Sequence, residues 1–161
     1  MSNINRSTKR PSLAANVGRG ALAGVAGSVV MTAWQKLVEM PLSEREDSYG
    51  PAELAEKLLP VKPSSDAGRK RLNYAAHTAL GAMWGGAYGV AAHLGLRGAR
   101  GAAATFGAIY TQDLVMIPAL GLGKPWTWSR KEWTIDVLDK VVVIAATGAI
   151  FDRVLGPHAR A

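Results

Sequence analysis

The most constraining feature is a run in which charge passes straight into an apolar helix. Asp136, Asp139 and Lys140 lead without a break into Val141-Val-Val-Ile-Ala-Ala-Thr-Gly-Ala-Ile-Phe151. Asp136, Asp139, Lys140, Val143 and Thr147 fall on one helical face, so the charges share the face of the apolar tail. Asp136 and Lys140 form an acid-to-base pair at i,i+4 in the favourable direction. Trp126, Trp128 and Trp133 precede the run as an aromatic collar, the pattern of a membrane–water interface. A helix of this kind needs partners for its charges, so the remaining hydrophobic segments must supply them.

Those segments are long. Leu72 to Leu96 holds no Asp, Glu, Lys or Arg, and Gly101 to Gly123 holds Asp113 alone. Runs of about 18 or more apolar residues are the signature of membrane spans. Mean hydropathy is only +0.06, so the distribution of charge rather than bulk composition carries the reading. The 18 glycines are concentrated in the apolar runs. Each costs a water-soluble helix roughly 1 kcal/mol relative to Ala, whereas between membrane helices small residues let backbones approach.

In chain order, residues 1–16 read as a basic arm with Arg6, Lys9 and Arg10. The pattern predicts spans over about 17–40, 72–96, 101–122 and 133–154. Segment 42–71 is the long connection, with a short interfacial helix at 51–59 opened by Pro51. Pro41 is expected to stop the first helix. Pro118 is expected to open the third near Asp113 by freeing the Leu114 carbonyl. Gly20, Gly24 and Ser28 form one small-residue stripe, and Gly81, Gly85 and Gly89 form a doubled G-x-x-x-G. Both are read as helix-packing surfaces. The fold expected is all-α: an integral membrane, antiparallel four-helix bundle with a short interfacial helix after the first span.

Four spans put both termini on one side. The Lys and Arg assigned to the two sides divide eight against nine, so their count does not orient the chain. The short Arg97–Arg100 turn and the basic tail favour cytoplasmic termini. Alternating helices gather Lys36, Glu39, His77, Asp113, Asp136, Asp139 and Lys140 towards one leaflet. An isolated charge at the bilayer centre costs about 2.5–3.5 kcal/mol on the insertion scale, so these groups should face inward and pair. Lys140 is matched with Asp113 or Glu39, and Lys36 with Asp136 or Asp139.

The residues Glu39-Met-Pro41-Leu42-Ser-Glu-Arg45 resemble the E-x-P-L-x-x-R signature of YagU-type bacterial inner-membrane proteins. His77, with the Gly/Ala-rich run from Ala79 to Gly89, is similar to a later helix of that family, and Pro125-Trp126 before an acid-containing final helix fits as well. The resemblance implies a small polytopic inner-membrane protein with a link to acid tolerance, and supplies no established catalytic residues. It singles out Glu39, Pro41, Arg45 and His77.

The functional expectation is a non-enzymatic structural or accessory role, as a subunit of a larger membrane assembly or through self-association, with the polar cluster as an ion-pair core. The alternative is a proton or ion pathway through Asp113, His77 and the Asp136/Asp139/Lys140 group, whose coupled carboxylates, imidazole and amine suit proton handling. No nucleophile motif accompanies His77, so no catalytic residue is assigned. Glu-x-x-His metal spacing is missing, and the chain has no cysteine. No metal and no cofactor are expected. The net charge of +7 is attributed to bases flanking spans rather than to nucleic acid, for which no binding motif is present.

Overall fold

The computed structural model describes residues 11–156, and these are all-α. Most of the basic arm, and the tail beyond Gly156 with Arg160, lie outside the described residues. The arm is shorter than expected on its inner side. Helix α1 (Leu13–Trp34) opens at Ser12, whose Oγ accepts a bond from the Ala15 amide at 3.2 Å, which satisfies one free amide of the first turn.

Pro41 does not stop this helix. A π turn, Gln35–Glu39, carries the chain into the single turn α2 (Met40–Ser43), with the Met40 amide bonded to the Gln35 carbonyl. The wider turn accommodates a ring that cannot donate and would clash one turn back in regular α geometry. The end comes at Glu44, which sits in the left-handed region at φ 52°.

Helix α3 (Gly50–Leu58) has Pro51 in its first turn and lies on the start of α4 (Asp66–His93). Helix α4 begins six residues before the apolar run does. Ser65 caps it through the Gly68 amide at 3.2 Å, and Asp66 occupies the first turn, where a negative charge complements the helix dipole. Helix α5 (Gly98–Ala119) contains Pro118 in its last turn rather than at a mid-helix kink, and Gly121 at φ +67° turns the chain away. Helix α6 (Arg130–Ile150) starts from a full capping box, Ser129 with Glu132, and ends in a second π turn, Phe151–Leu155.

The long helices alternate in direction. Helix α1 packs chiefly on α4 and then on α6, while α5 bridges α4 and α6 more loosely. The α1–α4 seam is backbone against backbone. A Cβ on Gly20 or Gly24 would overlap the carbonyl of Gly85 or Gly81, and one on Gly89 would overlap that of Asn16. Ser28 lies against Gly81. On its other side α1 presents Gly27 to Thr147 and Val143 of α6. Only glycine allows this approach.

Three charged side chains are buried while several large apolar ones face outward. Glu39, Asp139 and Lys140 are 5%, 7% and 7% exposed, whereas Leu22, Val29, Leu37 and Val115 are 64%, 67%, 76% and 62% exposed. The apolar core is small: Ala23, Tyr88, Ala92 and Phe151 at one end, Met31, Ile109, Val143 and Ile144 further along. By length and hydropathy alone, one helical segment among the described residues, Leu13–Ser43, is suited to crossing a membrane.

Candidate functional site: a polar chamber

Where α1 ends and α6 begins, the helices part. They enclose a cavity of about 670 Å³, walled by α1, α4, α5 and α6 and by the connection around α3. Thr32, Gln35, His77, Asp113, Asp136, Asp139 and Lys140 all line it, beside Met31, Leu80, Trp84, Met116 and Val143.

One ion cluster crosses from α5 to α6. Lys140 Nζ donates to Asp136 Oδ1 at 2.5 Å and lies 3.4 Å from Asp113 Oδ2. Asp113 is thus the partner Lys140 takes of the two expected. The ammonium also sits 5.5 Å from the Tyr110 ring centroid, a cation–π contact. Tyr110 stacks on Phe106 and leans on Trp133, which meets Trp128 edge-on at 5.3 Å. Two of the collar tryptophans therefore continue inward as an aromatic wall, while Trp126 is exposed.

The second cluster joins α1 to α6 and corrects the expected pairing. Glu39 binds Arg45 rather than Lys140. Arg45 donates from Nε at 3.1 Å and from Nη2 at 2.6 Å, and Ser43 Oγ donates to the same carboxylate at 2.7 Å. The acid and base of the E-x-P-L-x-x-R segment thus hold each other across the Pro41 turn. Arg45 also reaches Asp139 Oδ2 at 3.5 Å, where Gln35 Nε2 donates at 2.7 Å. Glu39 holds the guanidinium protonated more firmly than usual.

Lys36 lines the same cavity but pairs with neither Asp136 nor Asp139. It pairs with Asp47 in the connection, at a site with both side chains 38% exposed. The bond from Lys36 lowers the Asp47 carboxyl below its ordinary range. The π turn explains the change of partner. Its extra residue rotates the side chains beyond Gln35 relative to a stripe projected from regular α geometry.

His77 lines the chamber with no carboxylate partner, and its buried Nε2 has no hydrogen bond. His93 lies at the other end, 3.3 Å from Asn16 Nδ2.

Helix α3 closes one side of the chamber. Asn73 of α4 accepts from the Ala52 amide at 3.0 Å and donates to the Ser48 carbonyl at 2.9 Å. Arg69 adds bonds to Glu56 and Glu53 and lies over Tyr49.

The opposite end of the bundle holds a polar group the sequence reading missed. Tyr88 donates to Asp152 Oδ2 at 2.6 Å, the Gly98 amide donates to the same oxygen at 2.9 Å, and Arg97 Nη1 lies 3.8 Å from Oδ1. Phe151 meets Tyr88 edge-on, under the Arg97 guanidinium. This knot pins the α4–α5 turn to the end of α6. Its signal was an acid directly after an apolar run, opposite a turn containing Arg97. Gln35 and Arg45 were likewise missed as ligands of Asp139.

The chamber can therefore hold charge, order helices and receive a ligand from one end. The Tyr88–Phe151–Asp152 plug fills the other. No protein-family model, curated protein or solved structure matches the chain.

Proposed function

We propose that this chain is a small multi-pass membrane protein. Segments 17–40, 72–96, 101–122 and 133–154 cross the bilayer in alternate directions, α3 rests at the interface, and both termini face the cytoplasm of a bacterial inner membrane. The observation that carries the reading is the burial of Lys140, Asp139 and Glu39 while Leu22, Val29, Leu37 and Val115 face outward. A monomer in water would leave that apolar surface uncovered. Glycine packing of α1 on α4 belongs with it, because helices in lipid associate through backbone proximity rather than by hiding large apolar side chains. The bases Arg19, Arg97, Arg100 and Arg153 near the plugged end suit anionic headgroups. The resemblance to YagU-type proteins points to the same class.

The role proposed is non-enzymatic. The ion clusters fix which helices are neighbours, and the chain serves as an accessory membrane subunit with the chamber as its working surface. Purification in mild detergent after a carbonate wash tests this. Retention through the wash and stoichiometric co-purification of a larger complex are expected. Release from the membrane by carbonate alone overturns the membrane reading.

A second reading, proton or ion handling, is favoured by the Asp113–Lys140–Asp136 contacts along the chamber wall. It requires opening of the plugged end. Its mark is pH-driven flux in liposomes by the purified protein alone, abolished by Asp113→Asn.

A further inference from the structure

Outside the chamber, the same ends of the first helix and α6 form an open groove of about 450 Å³. Ile135 alone lines both spaces. The groove follows Trp34, Val38 and Leu42 from α1 through the π turn into α2, and Lys131, Thr134 and Leu138 on α6. Steps of three and four residues put each series on one helical face.

Polarity is graded along this groove. The Lys131 ammonium donates to the Ser43 carbonyl, so the end of α2 lies beside the first turn of α6. Ser43, Arg130 and Lys131 mark that end of the groove. Because the helices run in opposite directions, Trp34 and Leu138 mark the other end, about 12 Å along α6 from Arg130 at 1.5 Å per residue.

The accessible charge is confined to the first end. Arg130 is exposed, and among the described residues it has no ion-pair partner. Lys131 is also exposed and uses one of its three donors on Ser43. The acid on the wall, Glu39, is 5% exposed and is already held by Arg45 and Ser43. Two cations thus stand at the head of a groove whose far end is apolar. Trp126, Trp128 and Trp133 flank Arg130 in the chain and set that end at headgroup level.

We propose that this groove is a binding site for an anionic phospholipid. Arg130 holds the phosphate as a fork and Lys131 adds a point charge, while an acyl chain lies along Val38, Ile135, Leu138 and Trp34. A zwitterionic headgroup brings its own ammonium and gains less from two bases. The proposal rests on the membrane reading above, since it takes the outer faces of α1 and α6 to be in lipid.

The chain has no cysteine, so a bimane label on Leu138→Cys reports from the groove. The same label on Val115→Cys, exposed on α5, reports from elsewhere on the outer surface. Each labelled full chain is reconstituted in an equal mixture of phosphatidylglycerol and phosphatidylcholine, with bromine on the chains of one lipid or the other. Quenching at Leu138 should show phosphatidylglycerol enriched about fivefold or more, the scale of one base near anionic headgroups. At Val115 the two brominated lipids should quench about equally. Arg130→Gln with Lys131→Gln should abolish the preference at Leu138. Should that pair fail to reconstitute, Arg130→Gln alone decides, because its side chain has no ion pair to lose, and the preference should fall about twofold or more.

Equal quenching by the two lipids at Leu138, the same preference at Val115, or a preference unchanged in the folded variants overturns the proposal. Quenching by neither lipid at Leu138, with quenching intact at Val115, means that a second copy covers the groove, and also overturns it. Excess glycerol phosphate should leave the preference in place; its loss would make free phosphate, not lipid, the occupant. Release by carbonate defeats the membrane reading itself, whereas retention with equal quenching defeats this inference alone.

Discussion

The two ends of the bundle are held by different means. At the plugged end α1 and α4 touch through Gly20, Gly24, Gly85 and Gly89, and no side chain fits between them. At the chamber end the same two helices separate around Gln35, His77 and Trp84, and ion clusters span the gap to α5 and α6. Close packing needs only the absence of Cβ atoms and tolerates no added volume. Bridging a gap with charge tolerates volume and does not tolerate loss of a partner. The plugged end should therefore be sensitive to size and the chamber end to charge.

The largest effect is expected from Lys140→Met. Removing the ammonium leaves Asp113 and Asp136 without their shared cation, and breaking such a buried cluster costs about 3–5 kcal/mol. Thermal unfolding in detergent should show a large fall in midpoint, partly recovered by Asp113→Asn in the same chain. An unchanged midpoint would mean that charge does not hold this end.

Gly24→Val comes next. Its side chain would meet the Gly81 carbonyl, which is backbone and cannot rotate away. Overpacking typically costs about 1–3 kcal/mol, against which valine recovers only a few tenths in helix propensity. Gly18, with open space around it, is the control: Gly18→Ala should be neutral or slightly stabilising on the same unfolding curve.

Tyr88→Phe keeps the ring against Phe151 and removes the bond to Asp152. Hydrogen bonds to charged groups contribute about 1.5–3 kcal/mol, and Gly98 and Arg97 remain as partners, so the low end is expected. Hydrogen exchange should rise at the α4–α5 turn and stay unchanged around the chamber.

The smallest effect belongs to Lys36 and Asp47. Asp47 is depressed by the bond from Lys36, so its contribution is present above the ordinary aspartate range and is lost as pH falls through the lowered value. Both groups are well exposed, and surface pairs contribute about 0–1 kcal/mol. Asp47→Asn should barely move the midpoint at neutral pH and should remove a small acid-side decline.

The glycine stripes were legible in the sequence because they depend on helix periodicity alone. Residues at intervals of four on both helices must form small faces, whatever the rest of the chain does. The inward charge of α6 was legible for the same reason. Lys36 was not, because a π turn at Gln35–Glu39 alters the phase of everything after it and leaves no periodic trace. Arg45 was quoted with Glu39 as part of a motif, yet its contact with Asp139 depends on how the chain folds back after Pro41. Asp152 was hidden by its place beside Arg153, where a terminal charge reads as solvated. The early start of α4 followed from a Ser65 cap and charged helix formers, which carry no apolar signal.

The central claim is that the apolar outer surface faces lipid while the polar chamber holds water. Because the chain has no cysteine, single substitutions report cleanly. Val29→Cys and Val115→Cys on the outside, and Thr32→Cys and Met116→Cys in the chamber, would be placed in native membranes and challenged with water-soluble and lipid-soluble maleimides. The expected result is that the chamber positions react with the water-soluble reagent and the outer positions with the lipid-soluble one alone. Rapid reaction of Val29→Cys and Val115→Cys with the water-soluble reagent would contradict it.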